Sequence, residues 1–208
     1  PKTLRHYLSV LRDADTWWFM LFYGVTFGGF VGIASSLVIY LHGRFAVDPV
    51  HAGYLTSACV LAGSLCRPCG GMLADRVGGV RTLQWVYVFV ILGAAGIGLS
   101  GNSLLASATC LVICMTALGI GNGSVFQIIP QRFAREIGVL TGLVGMAGGV
   151  GGFCFAASLG YSRQWTGGYS LGFHLFAAVS ALALTGLWFV KKRWRATWGA
   201  PRATAARL

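Results

Sequence analysis

The stretch HAGYLTSACVLAGSLCRPCGGMLADRVGG, residues 51–79, decides the fold, because one arginine stands inside an otherwise uncharged apolar run. The next charged residue after Arg67 is Asp75, eight positions on. At about 1.5 Å of rise per helical residue, that spacing puts Arg67 roughly 12 Å from the polar loop. Half of a hydrocarbon core is about 15 Å, so Arg67 is expected near the bilayer midplane. A charge there costs about 2.5–3.5 kcal/mol even on the lenient insertion scale, and it requires a partner charge, a water-filled cavity or an anionic ligand.

Working outward, the whole chain reads as an integral membrane protein. Its 208 residues are 56% hydrophobic and only 10% charged, with a mean hydropathy of +0.71. A soluble domain carries about 25% charged residues. The five acids are Asp13, Asp15, Asp48, Asp75 and Glu136, all at expected loops or helix ends, so none is expected to neutralise Arg67. Six apolar spans of helix-crossing length follow at roughly 16–41, 52–74, 82–100, 104–129, 138–160 and 170–190. Backbone groups in lipid must be satisfied internally, so the expectation is an all-α membrane protein of six transmembrane helices. A basic lead-in or linker occupies residues 1–15, the bundle residues 16–190, and a basic tail residues 191–208.

The net charge of +11 raises nucleic-acid binding, but the placement of the bases argues against it. Thirteen of the sixteen basic residues fall in the two termini or in the loops near 75–81 and 130–137. The opposite side holds only Arg44 and Arg163, so both termini are expected in the cytoplasm of a cell-membrane protein. In the tail, Trp194 and Trp198 are expected at the membrane interface. The start at Pro1, with no signal peptide, reads as a piece of a longer chain. All six cysteines lie in apolar spans; Cys66 and Cys69 form C-R-P-C, which reads as small packing residues rather than a redox pair. Nothing suggests a metal, a cofactor or an enzyme.

Glycine is dense, at 31 residues, with Gly24, Gly28 and Gly32 every four residues in the first span. The fifth span carries Gly142, Gly145, Gly148, Gly149, Gly151 and Gly152. Small residues at helical spacing permit close helix contact. The fifth span holds more than one packing face needs, and glycine also lets a backbone approach a ligand.

The segment GGMLADRVGGVRT, residues 70–82, resembles the G-x-x-x-D-R-x-G-R-R cytoplasmic loop of the major facilitator superfamily, with Gly71, Asp75, Arg76 and Gly78 in the motif positions. Three further stretches are similar to the second half of its nitrate/nitrite porters. They are GSLCRPCGG (63–71), ALGIGNGSVFQIIPQRF (117–133) and the glycine-rich GMAGGVGGF (145–153). The resemblance implies one half of a twelve-helix fold that transports nitrate or nitrite by alternating access between two six-helix halves. It implies that Arg67 contacts the anion and that Tyr23 and Phe27, one turn apart on the first helix, flank it. Gly148, Gly149, Gly151 and Gly152 are expected to bring a helix close to the anion, and Asn122 either to hydrogen-bond it or to link helices. A second arginine of the anion clamp belongs to the other half, which is not in this sequence. On its own this segment is expected not to transport.

Alternatives remain at this level: a facilitator for another small anion or solute, a redox enzyme on Cys66 and Cys69, or a non-transporting subunit. The mode of coupling also stays open. The absence of a carboxylate in any span favours anion exchange, whereas VFQIIPQRF is closer to the proton-coupled importers. His174 reads as a packing or interfacial residue.

Overall fold

The computed structural model describes residues 10–198. Six long helices follow one another: α1 (Ala14–Phe45), α2 (Pro49–Val77), α3 (Gly79–Leu99), α4 (Leu104–Arg132), α5 (Ile137–Thr166) and α6 (Ser170–Trp198). Five of the six apolar spans lie inside one of them, and the third, 82–100, runs one residue past the end of α3, onto its C-cap Ser100. The helices outrun the spans because helix ends continue past the hydrocarbon into the polar interface. Five are long and apolar enough to cross a membrane by length and composition; α2, the helix of Arg67, is not among those five. Residues 1–9 of the lead-in and 199–208 of the tail lie outside the described residues.

Local chemistry sets the helix ends. The Asp13 carboxylate caps α1 by accepting from the Asp15 amide at 2.9 Å. Asp48 caps α2, accepting from the amides of Val50 and His51, with Pro49 in the first turn. A hydrogen bond from the His51 ring is the largest of the effects that hold the Asp48 carboxyl below its ordinary range. Gly78 joins α2 to α3 without a loop; its φ of 98° lies where only glycine sits without strain.

Packing is pairwise. α1 lies against α5, α2 against α4, and α3 against both α4 and α6. Glycine makes the first two contacts possible. A Cβ on Gly28 would fall 2.7 Å from the Gly151 carbonyl carbon, and one on Gly119 would fall 2.7 Å from that of Gly63. Large apolar side chains such as Trp85, Leu92, Trp188 and Phe189 are exposed on the outer surface, as lipid-facing positions require.

At one end of the bundle the start of α1 and the ends of α4 and α6 are tied by charge around a buried carboxylate. Asp15 is 4% exposed and accepts from Arg132 Nε at 3.0 Å, from the Arg193 guanidinium, and from Trp194 Nε1 at 2.8 Å. Asp13 accepts from Arg132 Nη2 at 2.7 Å. This corrects the placing of Trp194. The residue is fully buried and stacked on Phe19 at 5.1 Å, because its indole N–H finds a carboxylate inside the bundle rather than a headgroup outside it. The helix runs on through Trp198, so residues 191–198, read from the sequence as tail, continue α6. The side chain of Trp198 lies outside the described residues.

Candidate anion site

Arg67 sits one residue before Pro68, inside α2. Its guanidinium carbon lies 4.8 Å from the ring centroid of Phe30 and 5.4 Å from that of Phe27, both on α1. Among the described residues no carboxylate pairs with it: the acids in ion pairs are Asp13, Asp15 and Asp48, with arginines or a histidine elsewhere. Arg67 Nε is buried without a hydrogen-bond partner. A cation over an aromatic face gains from about 0.5–1 kcal/mol when exposed to about 2 when desolvated, so two faces on the half-buried Arg67 offset part of the cost of placing this charge in the membrane. An unpaired buried donor still costs about 1–3 kcal/mol, so the site retains a demand for an acceptor.

The aromatic wall beside Arg67 is continuous. Tyr23 and Phe27 stack with centroids 5.0 Å apart and planes 6° from parallel. Phe126 of α4 meets Tyr23 edge-on at 4.9 Å. Four residues before it on the same helix, Asn122 is 2% exposed, and neither atom of its amide has a partner. The helix here is wedged between two neighbours: Gly121 abuts Thr26 of α1, and Gly123 abuts the Arg67 carbonyl of α2.

The fifth-span glycines divide by face. A Cβ on Gly148 would lie 2.7 Å from Phe27 Cδ1 and 3.0 Å from Tyr23 Cδ1, so a glycine lets α5 press against the edge of the ring pair. Gly151 faces the Gly24 backbone, and Gly152 meets Val31 and the Gly28 carbonyl; both serve the α1–α5 contact. Gly149 faces open space, as do Gly138, Gly142 and Gly145. The structure therefore brings Arg67, Tyr23, Phe27 and Gly148 to one place, with Asn122 a turn from Phe126, and sets Gly149, Gly151 and Gly152 on other faces.

The motif around Asp75 is tied to the same helix. Asp75 is exposed and accepts from Gln127 Nε2 of α4 at 3.0 Å. Arg76 is exposed, and Gly71 has open space where a Cβ would stand. His174 is exposed on α6, with its ring lying over Gly98 of α3. Sequence reading missed Phe30, Phe126 and Gln127. Phe30 was within reach: it stands three residues after Phe27 and seven after Tyr23, on the same helix face.

An apolar cleft of about 620 Å³ lies elsewhere, between α1, α5 and α6, and is lined by Met20, Val150, Phe155 and Phe176 among others. Its lining carries no charge.

A family model described as Major Facilitator Superfamily matches residues 1–156. The chain is 34% identical over 185 residues to a probable nitrate transporter NarT of Staphylococcus carnosus (strain TM300), covering 89% of this chain and 47% of that protein. It is 36% identical over 182 residues to a nitrite extrusion protein of Bacillus subtilis (strain 168), covering 85% and 44%. It thus spans about half the length of the relatives it matches. Among solved structures, tetrameric PepTSo2 in an I4 crystal superposes with a TM-score of 0.74 at 17% identity, over 92% of this chain and 44% of that one. That likeness concerns the fold alone.

Proposed function

This chain belongs to the Major Facilitator Superfamily, in its nitrate/nitrite porter family, and from that premise we propose that it forms the C-terminal six-helix half of a nitrate/nitrite transporter working by alternating access. Both termini face the cytoplasm, and an N-terminal six-helix half, in the same longer chain or in a partner, completes the anion site. The observation that carries this reading is Arg67 itself, a guanidinium held between ring faces with a buried, unpaired Nε and no carboxylate.

The chemistry suits a flat oxyanion. Nitrate is planar, monovalent and weakly hydrated, so a partly apolar pocket strips its water at modest cost. The Arg67 fork donates two parallel hydrogen bonds to two of its oxygens. Tyr23 donates a third from its hydroxyl, and the Phe27 ring, stacked on Tyr23 and lying under Arg67, flanks the anion with its electropositive edge. Gly148 lets α5 close against the edge of the ring pair, and the unpartnered Asn122 amide offers N–H donors to an oxygen turned toward α4. Asp75, Arg76, Gly71 and Gly78 form the cytoplasmic hinge that closes as the halves rock.

Arg67→Lys, made in the two-half transporter and reconstituted in proteoliposomes, tests the proposal. A lysine keeps the charge but loses the planar fork, so nitrate and nitrite uptake should fall by about two orders of magnitude. Uptake that survives with unchanged affinity points to a facilitator for another small anion or solute and overturns the assignment.

A further inference from the structure

We propose that Phe30 is a positioning residue for Arg67, a neutral stand-in for the counter-ion that this site lacks; the inference rests on the anion-transport reading above. Phe30 is 4% exposed, and its ring centroid is nearer the guanidinium carbon than that of Phe27, at 4.8 Å against 5.4 Å. Helix α2 reaches this ring only because residue 63 is glycine: a Cβ there would fall 2.5 Å from Phe30 Cε2. The backbone is thus shaped to bring Arg67 over Phe30, and Phe30 belongs to the site although it lies beneath the charge rather than beside the anion.

The reason for a ring in place of a carboxylate is differential. A carboxylate would cancel the charge that the anion must find, and it would compete for the same donors. A ring face attracts the cation through its quadrupole and leaves the formal charge and the outer N–H groups free. When an anion binds, the guanidinium charge is compensated and the ring attraction falls. Phe30 therefore stabilises the empty site more than the filled one, which holds Arg67 in place between cycles and keeps the anion from binding too tightly to leave. A ligand shifts such an equilibrium only by its difference in affinity for the two states.

The test replaces Phe30 with mono-, di- and trifluorinated phenylalanine in the two-half transporter. Fluorine empties the ring face of its negative potential while nearly preserving its shape. The unfolding midpoint of the anion-free protein should fall stepwise with each fluorine, and that slope should vanish in an Arg67→Gln background. Nitrate affinity should rise across the series, about fivefold by the trifluoro ring. The same series at Phe155, packed on Phe173 and Phe176, should leave affinity unchanged. A flat midpoint series, a slope that persists without Arg67, or nitrate affinity that stays constant or weakens overturns the role of Phe30. If the midpoint slope appears as expected but the wild-type protein binds no nitrate, the ring seat stands and the transport assignment falls.

Discussion

Gly123→Ala should disable anion handling without touching an anion-facing side chain. Gly123 lies where α4 crosses α2 at Arg67. A Cβ there would lie 2.9 Å from the Gly71 amide nitrogen and 3.2 Å from the Arg67 carbonyl carbon, and nearer still to the Arg67 carbonyl oxygen. Relaxed non-bonded carbon contacts sit at about 3.5–4.0 Å, so α2 must retreat by about 1 Å or α4 must turn. Overpacking of this kind costs about 1–3 kcal/mol. Alanine's better helix propensity returns about 0.8–1.0 kcal/mol, so the net loss of stability is modest. A chain of this length shifts by about 2–4 °C per kcal/mol and one twice as long by less, so the unfolding midpoint of the two-half transporter should drop by only a few degrees. Transport should suffer far more, because a displacement of about 1 Å at a positioned charge can cost a hundredfold in rate. Proteoliposome uptake and thermal unfolding of the two-half transporter measure both. Gly160→Ala, whose Cβ meets nothing within 4 Å, is the control and should leave uptake unchanged. Wild-type uptake in Gly123→Ala would refute the claim that this crossing positions Arg67.

Asn122→Leu removes two unsatisfied buried atoms, so the anion-free protein should be as stable or more stable, while nitrate affinity falls at least about tenfold; paired stability and binding titrations read the two effects. Asp15→Asn should cost about 2–4 kcal/mol, below the fully buried range because Arg132 and Arg193 are each partly exposed, and it should show as a lowered unfolding midpoint. Joint Cys66→Ala and Cys69→Ala should leave uptake intact, since neither thiol forms a disulfide; loss of function would revive a thiol role. In thiol labelling of the folded protein, exposed Cys69 should react and fully buried Cys114 should not.

What the sequence disclosed follows the range of each physical effect. Helices in lipid are set by local hydropathy, so six runs were legible, five of them strongly apolar and the α2 run less so, and Arg67 stood out because one charge in such a run has few explanations. Trp194 was misplaced because its partner Asp15 is 179 residues away, and an aromatic beside basic residues reads equally well as an interfacial anchor. The glycines were ambiguous for a related reason. Period alone marks Gly145, Gly148, Gly149 and Gly152 as small, but only the neighbouring helix distinguishes a position that admits a ring edge from one facing open space. Phe30 was lost differently. In an apolar span a phenylalanine is ordinary, and it becomes chemically specific only when a cation from another helix, 37 positions later, lies over its face. Helix α2 makes the same point from the other side. It is the helix outside the five apolar enough to qualify as spans, and it is the one that carries a half-buried arginine in mid-helix. A segment that sacrifices hydropathy for a cation, glycine and proline depends on the closest contacts its neighbours can make. Those contacts, Gly63 with Gly119 and Arg67 with Gly123, are the ones that fix where the cation stands.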